Sequence, residues 1–168
     1  MSDLSDEVLG LKALKRAGWA RVGIKNPESV AAHSWGVCWL VVAYAPADID
    51  TDRALKIAVV HDLIEVRVGD ITPHDGISRD DKHARESEAA QLMMADRPDL
   101  LDLWEEYEAN ESNEAQFVHD CDKLDMALQA LRYAREQGVD TSEFIASARL
   151  KITHPELLAV LNAAQPSR

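Results

Sequence analysis

His61 and Asp62 stand side by side inside the apolar run AVVHDLIEV. The surrounding spacing is helical, and burying an imidazole beside a carboxylate among Val, Leu and Ile is costly unless a further charge compensates them. A divalent cation is the most economical compensation. The chain is therefore constrained to a fold that brings more ligands to the pair. Two other polar residues interrupt apolar runs in the same way, His33 before the doublet and Asp122 after it.

Hydrophobic periodicity is helical throughout, with no alternating strand pattern and no hairpin turn, so an all-α fold is expected. A first amphipathic helix is predicted from Ser5 to Ala17, ended by Gly18, followed by a loop through Trp19, Arg21 and Lys25. Asn26 caps and Pro27 opens a second helix to Tyr44, whose VCWLVV stretch is apolar all round and reads as central. The third helix starts at Asp50 or Thr51 and continues to Gly69, placing His61, Asp62 and Glu65 at i, i+1 and i+4. GDITPHDG, residues 69–76, is a loop, and Ser78 caps a fourth helix to Met94 whose DDKHARESE portion reads as a solvated face. Helices follow from Asp99 to Asn110, from Ser112 to Gln137 with Gly138 as its stop, after Thr141 as a cap, and from His154-Pro155.

A length of 168 residues and 46% hydrophobic composition fit a single domain spanning residues 1–168 around one core. With 18 basic against 30 acidic residues the formal charge is -12, which repels nucleic acid polymers and anionic membranes. A phosphate-bearing ligand is then small and drawn in by a local positive centre. The opening MSDLSDEV carries neither a basic segment nor an apolar signal core, and the run from Val37 to Ala47 is too short to span a bilayer. A cytoplasmic protein is expected. Cys38 and Cys121 lack CxxC or finger spacing and read as buried free thiols.

Taken singly, His33 fits a hydrogen-bonded core histidine, and Asp122 lies in DCDKLD, which superficially opens a calcium loop at Asp120. The calcium reading fails, because the loop's glycine and final glutamate positions hold Asp125 and Leu131. Together, two imidazoles and two carboxylates form a mixed set that suits one divalent ion of Mn, Fe, Co, Ni or Zn and leaves positions open for water and substrate. Magnesium remains an alternative.

His33, His61-Asp62 and Asp122 in this order resemble the HD-domain superfamily of metal-dependent phosphohydrolases. More narrowly, NPESVAAHSW, VVHDLIEVRVGDITP and EAQFVHDCDKLDMALQA resemble the YfbR-like 5'-deoxynucleotidases and their eukaryotic relatives, in matching order. The likeness runs from about Leu11 to Leu161 and includes LWEEYE and HPEL. It implies a helical HD-domain bundle, a homodimer, and hydrolysis of (deoxy)ribonucleoside 5'-monophosphates to nucleoside and phosphate. His33, His61, Asp62 and Asp122 are implied as metal ligands. Glu65 is implied to orient or deprotonate the attacking water, and Asp70 to act near the sugar and leaving oxygen with Thr72 close by.

Trp19 falls at the family's tryptophan near base and sugar, although a loop tryptophan also serves packing. Some relatives place an arginine immediately before it to orient phosphate. Here that residue is Gly18, so the role passes to Arg16 first and Arg21 second. Lys123 is a further phosphate neutraliser, or a lysine snorkelling from its helix. Two rival functions stand beside this one. The first is an HD phosphodiesterase of cyclic or signalling nucleotides, for which His74, His83 and His119 lack second-metal spacing. The second is a non-catalytic, metal-stabilised helical module, which would need neither Glu65 nor Asp70.

Overall fold

The structure, a computed structural model, describes residues 4–72 and 74–165, apart from the side chain of Arg79, so Pro73 of the expected loop lies outside the described residues. It is helical, with no strand among the described residues and one isolated antiparallel bridge between Lys15 and Ser29. In chain order the helices are α1 Leu4–Val8, α2 Ala17–Arg21, α3 Val30–Tyr44, α4 Thr51–Val60, α5 Glu65–Val68, α6 Arg79–Met93, α7 Pro98–Ala109, α8 Asn113–Gln137, α9 Ser142–Lys151 and α10 Pro155–Ala164.

Side-chain caps set several of these boundaries. Asp50 accepts from Arg53 N, Ser78 from Asp81 N and Ser112 from Ala115 N, each satisfying an amide that the first helical turn leaves unpaired. Gly138 ends α8 at φ 66°, in the left-handed region where a Cβ is disfavoured. α3, α4 and α8 pack on one another; α7 lies against α4 and α8, while α9 and α10 lie along α8. Val37, Leu40, Val41, Ile57, Leu124 and Leu157 are among the buried side chains of the main core. Each such burial stabilises by roughly 1.5–3 kcal/mol. A smaller cluster joins Trp19 and Ile24 to Ala130 and Tyr133 of α8. Cys121 is buried and Cys38 half-buried, both as free thiols.

Seven expectations are corrected. The first helix does not run from Ser5 to Ala17: α1 passes into a 3₁₀ turn, Leu9–Lys12, and the chain then extends so that Arg16 N donates to Glu28 O and Val30 N to Leu14 O. Trp19 and Arg21 accordingly sit on α2 instead of in a loop. α3 is capped by Ser29, whose hydroxyl accepts from Ala32 N at 3.2 Å, and Asn26 is left-handed at φ 51°.

The third expected helix stops at Val60 and resumes at Glu65, because i→i+3 bonds such as Leu63 N to Val60 O and Glu65 N to Asp62 O tighten the chain between them. Thr141 is buried at the start of α9, but its hydroxyl donates to Ala130 O at 2.8 Å instead of capping. α3 is central on one side only: Trp35 and Trp39 are 71% and 56% exposed. On α6, Glu86 is buried, so the charged segment is not uniformly solvated.

Candidate metal centre

Three stretches of backbone deliver the candidate ligands. His33 lies one turn into α3, where the Ser29 cap fixes the helix start. His61 directly follows α4, with its amide still bonded to Ile57 O at 2.9 Å, and Asp62 sits in the tight turn behind it. Asp122 comes from the middle of α8. His33 and His61 are buried to 1% and 3% exposure.

The polar atoms converge. A ring nitrogen of His33, one of His61 and a carboxylate oxygen of Asp62 lie within 4.8 Å of one another. His61 Nε2 is 3.2 Å from Asp62 Oδ2, and His33 Nε2 is 3.7 Å from that oxygen and 3.2 Å from Asp122 Oδ1. None of these approaches satisfies His33 Nε2, His61 Nε2 or Asp62 Oδ2 with a hydrogen bond, and buried Glu65 Oε2 is likewise without a partner. Buried polar atoms are nearly always paired, so four unpaired ones in one cluster require an explanation.

Ring orientation supplies it. The Nδ1 atom of His61 is 2.7 Å from Ala58 O, and a carbonyl only accepts, so Nδ1 carries the proton and Nε2 presents a lone pair. His33 repeats the arrangement with a side chain, its Nδ1 donating to Asp125 Oδ2 at 2.7 Å. The two imidazole lone pairs and the Asp62 carboxylate face one point, with Asp122 Oδ1 beside His33, a donor set that fits a divalent cation.

Electrostatics agree with the geometry. Burial opposes charge on Asp62, yet His61, His33 and Arg16 outweigh it and hold the carboxyl below its usual range. Burial also opposes charge on Asp122, but Lys123 and His33 leave its carboxyl far lowered. Lys123 Nζ donates to Asp122 Oδ2 at 2.6 Å and Tyr107 Oη to the same oxygen at 3.3 Å, leaving Oδ1 directed at His33. Glu65 goes the other way: burial first, then the Asp62 and Asp70 carboxylates, push its carboxyl up to about 10. A cation in the cluster would supply the opposing charge.

Among the remaining expected residues, Arg16 and Asp70 join the centre. Arg16 Nη1 lies 3.8 Å from Asp62 Oδ2 and 3.6 Å from Asp70 Oδ1, and Asp70 Oδ2 accepts from Ala17 N at 2.7 Å. Arg21 is elsewhere, exposed and paired with Glu143. Trp19, 2% exposed, packs against Tyr133 and Phe144 and donates from Nε1 to Glu28 Oε1 at 2.9 Å. Thr72 closes a local turn, its amide and hydroxyl both donating to Asp75. His119 bonds Tyr107 O and His83 lies near Glu108, so neither enters the cluster.

Asp125 was not singled out by the sequence as a working residue. Its only local signal is a carboxylate three positions after Asp122, on a neighbouring helical face. The acidic run on α8 is divided by task. Asp122 faces the centre, Asp125 holds His33, and Asp120 accepts from Thr153 N, Thr153 Oγ1 and His154 N to anchor the start of α10.

The HD domain family model matches residues 8–160. The chain is 37% identical over 165 residues to a 5'-deoxynucleotidase HDDC2 of Danio rerio, covering 94% of this chain and 82% of that one. It is 39% identical over 163 residues to the 5'-deoxynucleotidase hdd1 of Schizosaccharomyces pombe, covering 90% and 82%. The crystal structure of the PH0347 protein from Pyrococcus horikoshii OT3 superposes with a TM-score of 0.81 at 33% identity, covering 98% of both chains. A match this extensive, on a chain whose doublet sits among unpaired ligand atoms, leads to one conclusion: the chain belongs to the HD domain family.

Proposed function

We propose that the protein is a metal-dependent phosphomonoester hydrolase of nucleoside 5'-monophosphates, releasing nucleoside and phosphate. The observation that carries this is the convergence of unpartnered buried atoms on His33, His61, Asp62 and Glu65, with Arg16 beside them. The 5'-deoxynucleotidase names of the relatives supply the substrate class.

A divalent cation held by His33, His61, Asp62 and Asp122 would supply Lewis acidity toward a phosphate oxygen and a water. Two imidazoles in the set favour a first-row transition ion over magnesium. The chain's own residues then have separable tasks. Glu65, buried beside Asp62 and Asp70, takes a proton from the water as its oxygen bonds to phosphorus and the bond to the 5'-oxygen breaks. Arg16 binds the phosphate with its guanidinium, assisted by Lys123 at the Asp122 side. Asp70 holds the Arg16–Ala17 segment through Ala17 N and lies at the rim, where it reads the sugar or assists the departing oxygen.

The test is phosphate release from ribo- and deoxyribonucleoside 5'-monophosphates with Co, Mn, Zn or Mg, alongside cyclic nucleotides. Turnover of monophosphates, lost in His61→Ala, supports the reading. Preference for cyclic substrates would favour a phosphodiesterase, and flat activity throughout a metal-stabilised module. Both outcomes sink the proposal. The same reading includes a homodimer, supported by the exposed stripe Trp35, Trp39 and Val42 at i, i+4 and i+7 on α3. A monomer mass in solution would remove it. No helix among the described residues is long and apolar enough to cross a membrane.

A further inference from the structure

We propose that Asp125 is a positioning residue for the cation site, acting through His33, and that Gly36 is small in order to admit it; this rests on the reading of His33 as a ligand. His33 Nδ1 donates to Asp125 Oδ2 at 2.7 Å, while Nε2 is buried in the ligand cluster without a partner. A ring held by a carboxylate at one nitrogen has one tautomer and one orientation, and its other nitrogen becomes the better donor to a cation. The bond joins α3 to α8 across 92 positions of sequence, so it also fixes which part of α8 faces His33.

Gly36 supplies the independent observation. Glycine inside a helix is disfavoured relative to alanine, so its presence in the middle of α3 calls for a reason. A Cβ built on Gly36 would lie 2.7 Å from Asp125 Cγ and closer still to Oδ1. Alanine would therefore displace the carboxylate from His33. Glu28 lies close to His33 and Asp125, but His33 Nδ1 bonds Asp125, and Glu28 Oε1 accepts from Trp19 Nε1. His61 needs no such partner, since Ala58 O already fixes its ring. The two imidazoles are thus oriented by different devices, and only that of His33 depends on side chains.

The experiment titrates metal-stripped, full-length protein with Zn(II) by calorimetry, comparing wild type with His33→Ala, Asp125→Asn and Gly36→Ala. Asp125→Asn is expected to raise the zinc Kd on the order of 10- to 100-fold. Gly36→Ala should do the same, and the double variant should be no worse than either single one, because both changes remove one bond. In zinc-loaded protein, proton–nitrogen NMR should show the His33 Nδ1–H resonance further downfield in wild type, where a carboxylate accepts it, than in Asp125→Asn. Loss of packing alone would not produce that change. If Asp125→Asn does not fold, Gly36→Ala carries the same measurements. Wild-type zinc affinity and an unmoved Nδ1–H resonance in Asp125→Asn or Gly36→Ala, with binding weakened in His33→Ala, overturn the positioning role alone. Equal zinc affinity in wild type and His33→Ala overturns the ligand assignment beneath it.

Discussion

Glu65 and Asp62 are three residues apart and carry opposite electrostatic perturbations, one carboxyl pushed up and the other held down. In the proposed mechanism that separation divides a proton-accepting group from a ligating one, and it predicts distinct phenotypes. Glu65→Gln is expected to lower kcat on the order of 10²- to 10⁴-fold while metal content stays at the wild-type level; substantial turnover in the variant would take Glu65 out of the mechanism. Arg16→Ala should raise KM for a nucleotide more than Arg21→Ala, because Arg21 is paired with Glu143 away from the ligand cluster. The reverse order would move the phosphate role to Arg21. The four proposed ligand positions stood out in the sequence because buried polar residues in apolar runs are anomalous one at a time. Asp125 and Gly36 were not, since their significance lies in a contact between two helices that no local spacing encodes. Trp19 was ambiguous for a related reason: a tryptophan beside a site looks the same in sequence whether it meets ligand or, as its neighbours here are, Tyr133 and Phe144.

Helix interiors and capped ends were the readable elements, as Ser78, Ser112 and Gly138 illustrate. Breaks inside apolar runs were not. Periodicity carries α4 straight through the His-Asp doublet, whereas the backbone tightens after Val60 to aim His61 and Asp62. The first segment was likewise misjudged, because the bonds that hold Leu14 and Arg16 in an extended stretch come from Val30 and Glu28, partners supplied by tertiary structure. One acidic side chain shows how much an element can depend on a distant residue. Asp120 collects two amides and a hydroxyl at the start of α10, so Asp120→Ala leaves these donors without their acceptor. A loss of roughly 1–3 kcal/mol is expected in denaturant unfolding, with faster amide exchange in α10. Wild-type exchange there would show that packing of Leu157 and Leu161 alone holds the helix.

For the whole molecule, the polar cluster is a point where α3, the turn after α4 and the start of α5 present unpaired polar groups to one another, with Asp122 of α8 beside them. Occupancy by a cation should therefore stabilise the entire fold. At a free concentration about 100-fold above Kd the gain is about 2.7 kcal/mol, so chelation should lower Tm and readdition of metal restore it. An unchanged Tm after verified removal would uncouple the cation from folding. Overall helical architecture was legible because no segment alternates apolar and polar residues as a strand would, and several repeat their apolar residues at helical spacing. The exposed tryptophans of α3 were not, because an apolar stretch reads alike whether a core or a neighbouring molecule covers it.

The position of the doublet at the very end of α4 also governs how such a chain can change over generations. Each residue added to or removed from a helix swings everything beyond it by about 100° and shifts it by about 1.5 Å. A length change within Thr51–Val60 would carry both His61 and Asp62 away from partners on two other helices. Point substitutions leave that rotation untouched. In a library of single-codon insertions and deletions, survivors should be absent from α4 and common in the exposed connection at residues 95–97, and equal tolerance of both would mean that the turn after Val60 absorbs the error.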